Sequence, residues 1–358
     1  MGGSDARRSG PPAFDFAALP SDVQQEVARA LDSISDVASL ELSGRGCRAA
    51  VRESGIWQAL AGRALGQAAA AELRPDLSPK TAKTLLRTLP RQERLSQMCW
   101  VARGDYLVGP GRGAQTHMRR GFFIDVVPVT AEMATRALER VSSRASRRRV
   151  GMTSLLGLLG YRKCIPDSTS ASAGAGAPHE VAALSAGSAL ATAAAAQAAR
   201  PRSAGVPFTN VTWGEASLLA GAMGLRLPRA IERECAARGH DGRRYPWGDE
   251  WIDGAANTAE AGLGHAAPTQ AFPRDTAPCG AMGLAGNVFE WTADAAHAGR
   301  HAGSQPGDER VNAGLSFNRR GSGGWGTWRT ESDPPAMRMT DVGFRCAFSP
   351  LEEAMRQP

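Results

Sequence analysis

The chain has 358 residues, 42% hydrophobic and 22% charged, with a formal net charge of +7. That describes an ordinary globular protein with some low-complexity filler and room for two or three domains, each with a core. The six cysteines (47, 99, 164, 235, 279 and 346) show no C-x-x-C or metal-finger spacing, so they read as reduced thiols.

Residues 1–16 form a polar, Gly/Pro-bearing leader that predicts disorder. It has no apolar stretch of the signal-peptide kind, and Ala6 stands where a myristoylation signal needs Ser or Thr; a cytoplasmic or nuclear location is expected. From Leu19 the pattern turns helical. Ser21 or Asp22 can cap a first helix, with Val23, Val27, Leu31 and Ile34 close to one face. Asp36 caps a second helix carrying Val37, Leu40 and Cys47, and a third segment packs Val51, Ile56, Trp57 and Leu60. Residues 67–98 continue as a helical connector.

Strand-and-turn texture begins near Cys99, with an apolar strand ending at Asp125 and Val129-Thr130 opening a helix. Arg136, Arg140, Arg144, Arg147, Arg148 and Arg149 make one basic run. A phosphate contact there would show as steep salt dependence; a solvated helix face is the competing account, and no nucleic-acid partner is expected. The stretch from about 167 to 205 is mostly Ala, Ser and Gly and predicts a flexible insertion. It lacks the large apolar residues of a membrane span.

The domain resumes at VPFTNVTWGEASLLAGAMG, where Thr212 and Glu215 predict a capping box and Gly224 a helix end. IERECAARG predicts a helix closed by Gly239, and Tyr245 and Trp247 flank a proline turn that supplies burial. Asp294, His297 and His301 would converge on a metal only if helical, and Gly299 points to a loop instead.

Three stretches in series carry a resemblance: RLPRAIERECAARGHDGRRYPWGDE (226–250), GLAGNVFEWTAD (283–294) and GFRCAFS (343–349). Together they resemble the formylglycine-generating enzyme, or sulfatase-modifying-factor, family, whose core is a variant of the C-type-lectin fold. Residues 17–66, with their Leu-Pro start and late Trp, resemble an F-box; any three-helix bundle beginning Leu-Pro is the alternative. The resulting expectation is an α+β chain: an N-terminal three-helix F-box-like module, then a C-type-lectin-like sulfatase-modifying-factor domain over 99–349 with little regular secondary structure, and a 350–358 tail.

The resemblance implies that family enzymes oxidise a substrate cysteine with a copper-binding cysteine pair. Here Arg319 and Gly324 occupy those two positions, and neither can bind Cu(I) or exchange with a thiol. Copper is therefore not expected. Cys346 belongs to the fold in the family, and Ala220 stands where its usual partner cysteine would be.

The resemblance also implies structural calcium, with Asn287 and Glu290 in one loop and Asn257 upstream; the alternative is that these side chains hydrogen-bond the loop backbone. Phe289, Ser316, Arg319, Trp325, Trp328 and Arg329 form the candidate ligand pocket, since Arg and Trp dominate binding hot spots. An F-box implies docking onto a Skp-type adaptor of a cullin ubiquitin ligase, with Leu19, Pro20, Val23, Leu31, Leu40 and Trp57 as the interface. The expected function is a non-catalytic binding protein; the alternative is a divergent formylglycine-generating oxidoreductase.

Overall fold

The computed structural model describes residues 37–39, 51, 55–110, 113–148, 190–199, 204–296, 308–322 and 326–352. They divide into two compact units, one up to Leu89 together with 351 onward, the other Pro90–Pro350.

The first unit contains α1 (Ile56–Leu65), α2 (Gln67–Leu73) and α3 (Pro79–Thr88). Helix α3 starts where Ser78 accepts the Thr81 N–H and Pro79 presets the first turn. Ile56, Trp57, Leu60, Leu65, Leu85 and Leu86 are buried, and Lys83 Nζ lies 5.2 Å from the centre of the Trp57 ring. Trp57 is a core residue in this arrangement, 2% exposed. The other expected adaptor residues, Leu19, Pro20, Val23, Leu31 and Leu40, lie outside the described residues.

The second unit combines short helices with three small sheets. After α4 (Gln92–Leu95) come β1 (Met98–Val101), β2 (Gly104–Val108), β3 (Ala114–Met118) and β4 (Phe122–Asp125). Helices α5 (Ala131–Arg148), α6 (190–198), α7 (Trp213–Ala222) and α8 (Ala230–Arg238) follow. The C-terminal part adds β5 (Phe289–Ala295), β6 (Arg310–Ala313), β7 (Thr330–Asp333), β8 (Val342–Phe344) and β9 (Ala347–Phe348). One sheet runs β1-β4-β9, β2 and β3 make a hairpin, and the third runs β7-β6-β5-β8, with β5 and β8 parallel.

Helix α7 carries the expected capping box: the Glu215 N–H donates to Thr212 Oγ1 at 3.2 Å, and the Thr212 N–H to the Glu215 carboxylate at 3.0 Å. Helix α8 lacks a Thr at its start but is capped from elsewhere. Asp294 on β5 accepts the Ala230 N–H at 2.5 Å, and Glu232 accepts the Arg229 N–H at 2.8 Å. Asp294 is thereby a cap, not a metal ligand; His297 and His301 lie outside the described residues.

The insertion expected at about 167–205 is not loose throughout. Residues 190–198 are helical, Leu190 and Ala194 are buried, and Gln197 donates to the Pro207 carbonyl at 2.9 Å. Alanine has the highest helix propensity, so a run poor in large apolar groups still forms a helix once two positions find a surface to cover.

Candidate functional site

Strand β5 is interior to its sheet, so its polar residues must find partners inside the protein. Glu290, fully buried, receives Arg345 Nη2 on one carboxylate oxygen at 2.8 Å. Its other oxygen receives Arg345 Nε at 2.8 Å and Arg233 Nε at 2.7 Å. Both guanidiniums are likewise buried. Arg233 Nη2 also reaches the Leu284 carbonyl, leaving its buried Nη1 without a partner, and Arg345 reaches the carbonyls of Asp125 and Met282. Burial works against ionisation of Glu290, but the two guanidiniums outweigh it and hold its carboxyl below the usual range.

Two more buried carboxyls lie close enough to feel these guanidiniums. Asp125 pairs with Arg94 and also accepts the Cys346 N–H at 2.8 Å. Asp275 accepts the N–H groups of Leu284 and Ala285, yet burial pushes its pKa up to about 7. Gly314 completes the packing at φ 108: a Cβ there would lie 2.3 Å from Arg233 Nη2. Only glycine lets the guanidinium lie against the backbone.

The implied calcium ligands are otherwise engaged. Asn287, at φ 72, takes hydrogen bonds on its amide oxygen from Asn257 Nδ2 at 2.9 Å and the Ala267 N–H at 2.8 Å, and donates to the Ala267 carbonyl at 3.0 Å. Of these three implied ligands, Asn257 keeps a buried amide oxygen without a hydrogen-bond partner. A cation at Glu290 would sit beside two positive charges with both carboxylate oxygens already taken. The expected set Asn257, Asn287 and Glu290 thus does not fit calcium here. The two asparagines tie the loop to itself, and Glu290 is held by arginine.

The candidate pocket divides into parts. Arg319 and Arg329 both lie over the Phe289 ring, their guanidinium carbons 5.9 and 6.0 Å from its centre, at the outer limit of cation–π contact. Both donate to Glu331, at 3.1 and 2.6 Å. The Arg319 side chain is 45% exposed and that of Glu331 27%. Ser316 turns away to donate to Asp341 at 2.8 Å, which pins the loop. Trp328 lies elsewhere, against the guanidiniums of Arg238 and Arg244 at 5.1 and 5.9 Å, and Trp325 lies outside the described residues.

The loop between β6 and β7 is held from its other side. Glu260 accepts the Gly321 and Ser322 N–H groups and the Ser322 and Thr258 hydroxyls. Burial opposes its ionisation, but these donors prevail and lower its pKa to about 2. The outer edge of the Trp251 ring lies close against Gly321, within a Tyr245–Trp247–Trp251 cluster.

Three residues escaped sequence reasoning. For Arg233 the available signal is an arginine at an interior helical position beside an acidic strand. Glu331 and Glu260 gave none, because an acidic residue in a polar loop is usually solvated.

Residues 82–350 match the family described as the sulfatase-modifying factor enzyme 1-like domain. Over 172 residues the chain is 33% identical to a formylglycine-generating enzyme of Thermomonospora curvata, covering 40% of this chain and 56% of that one. Over 157 residues it is 32% identical to the inactive C-alpha-formylglycine-generating enzyme 2 of Bos taurus, covering 39% and 50%. The chain spans about half the length of these curated relatives. The crystal structure of CarF aligns over 71% of this chain and 98% of its own, with 19% identity and a TM-score of 0.46. With three quarters of its length matched and the three motif stretches inside the match, the chain belongs to the sulfatase-modifying factor enzyme 1-like family.

Proposed function

We propose that this protein binds a guest without oxidising it, and that the guest presents an oxyanion to Arg319 and Arg329 over Phe289. The observation that carries this is Arg319 itself. At a position where the family's chemistry needs a thiolate stands a half-exposed guanidinium, paired with Glu331 and backed by a buried aromatic ring. A guanidinium cannot coordinate Cu(I), but its planar fork suits carboxylate, sulfate or phosphate. Exposed ion pairs contribute little to stability, so an incoming anion can take the place of Glu331 at small cost. The inactive family members among the relatives are in keeping with a domain of this fold that lacks the oxidation.

The test has two arms. Incubated with Cu(I), oxygen and a cysteine-containing sulfatase peptide, the full chain leaves the cysteine unchanged; formylglycine in the product overturns the reading. In a calorimetric screen of carboxylated, sulfated and phosphorylated peptides, Arg319→Ala weakens a positive ligand at least tenfold and Glu331→Gln strengthens it. An unaffected affinity in both variants places the guest elsewhere.

The recruiting half of the proposal rests on sequence order alone. Residues 17–66 would dock a Skp-type adaptor, and co-purification lost on changing Leu19, Pro20 and Leu31 together would support it. A well-folded full-length protein that retains no adaptor would end it.

A further inference from the structure

Outside the arginine-rich face, two thiols from distant parts of the chain meet. Cys99 lies on β1 and Cys279 in the turn Ala277–Gly280, yet their sulfurs are 3.6 Å apart across a separation of 180 residues. Each is half-buried and each sulfur has a backbone carbonyl beside it, that of Ile124 at 3.5 Å and that of Ala236 at 3.4 Å. We propose that Cys99 and Cys279 form a dithiol site that a hydroperoxide converts to a reversible disulfide within this domain.

The chemistry balances with the peroxide as the two-electron oxidant. The Cys279 thiolate attacks the peroxide, breaking its O–O bond to give a sulfenic acid and a hydroxide or alkoxide, which takes a proton from solvent and leaves as water or an alcohol. The Cys99 sulfur then attacks the sulfenyl sulfur; water leaves with the Cys99 proton, and an S–S bond joins β1 to the turn. The sulfurs must approach from 3.6 Å to about 2.05 Å. Two features assign the roles. The Cys99 S–H, the Ala281 N–H and the Arg345 guanidinium favour the Cys279 thiolate and bring its pKa to about 7, whereas the Cys99 thiol is pushed upward. Cys235 and Cys346 are buried, with pKa values raised by desolvation, so they serve as internal unreactive controls.

The experiment uses the full-length protein. Reduced protein is treated with hydrogen peroxide, alkylated, digested and mapped by mass spectrometry. The expected result is one intramolecular crosslink between the peptides bearing Cys99 and Cys279, removed by dithiothreitol. At pH 7 Cys279 also alkylates about tenfold or more faster than Cys235 or Cys346, and Cys99→Ala slows it toward their rate. Any of three outcomes overturns the proposal: Cys99 and Cys279 both still alkylating after complete oxidation, a crosslink to Cys47 or Cys164 instead, or a crosslink between two chains. The mapping needs no variant, so a Cys99→Ala protein that fails to fold leaves it decisive.

Discussion

Among the described residues a carboxylate gripped by two arginines recurs, and two of its occurrences, at Glu290 and Glu331, differ sharply in burial. Glu290 with Arg233 and Arg345 is sealed from water, with hydrogen bonds from both guanidiniums to nearby carbonyls. Glu331 with Arg319 and Arg329 stands partly in solvent. In the first setting the charges are costly to separate and fix the geometry of β5; in the second, water competes for every group and the arrangement can exchange partners. Chemical identity of a cluster thus says little about its role until its solvent is known.

Breaking each copy tests this contrast. Glu290→Ala leaves two buried guanidiniums without a counter-ion and is expected to destabilise the domain by about 3–5 kcal/mol in urea denaturation. A cost below about 1 kcal/mol would mean that the site admits water.

The neighbouring Asp275 gives a pH-dependent effect. Its folded pKa, about 7, lies above the ordinary carboxyl value, so its contribution is fully present below about pH 4 and is lost as the pH rises through 7. Asp275→Asn removes that slope. Between pH 4.5 and 8 the stability difference should move in the variant's favour by about 3 kcal/mol, read from paired thermal melts.

Gly314→Ala is smaller, about 1–3 kcal/mol, because the added methyl both strains a left-handed backbone and meets Arg233. Part of that cost should vanish in an Arg233→Ala background, and strict additivity would refute the contact. Least of all, Arg319→Ala should change stability by under about 1 kcal/mol, measured as a urea midpoint.

Local features were legible in the sequence because their causes are local. Thr212 and Glu215 sit three residues apart and cap α7 as the spacing demands, and the apolar strand ending at Asp125 is β4. The buried cluster was not legible. Glu290 finds Arg233 and Arg345 at separations of 57 and 55 residues, and nothing in GNVFEW says whether an acidic side chain meets a metal or a guanidinium. Family resemblance favoured the metal, and the geometry placed arginine there. Likewise, Arg319 and Arg329 were singled out while their shared counter-ion Glu331 was not, since a loop's tertiary partners leave no periodic trace. The helix at 190–198 is hidden by low complexity, which reads as looseness although alanine's own backbone preference is helical.

The order in which the sheet is assembled bears on synthesis. Strand β4 pairs with β9, and Arg345 reaches back 220 residues to the Asp125 carbonyl. At about 5–20 residues per second, a ribosome needs on the order of 10 to 40 seconds to supply that arginine after Asp125 emerges. Through this interval the nascent β1–β4 pair has an open edge, and Glu290, once made, has one of its two guanidiniums at most. A translational stall in that window would present an incomplete sheet to chaperones and proteases, so the late-arriving GFRC segment acts as the domain's closing bolt.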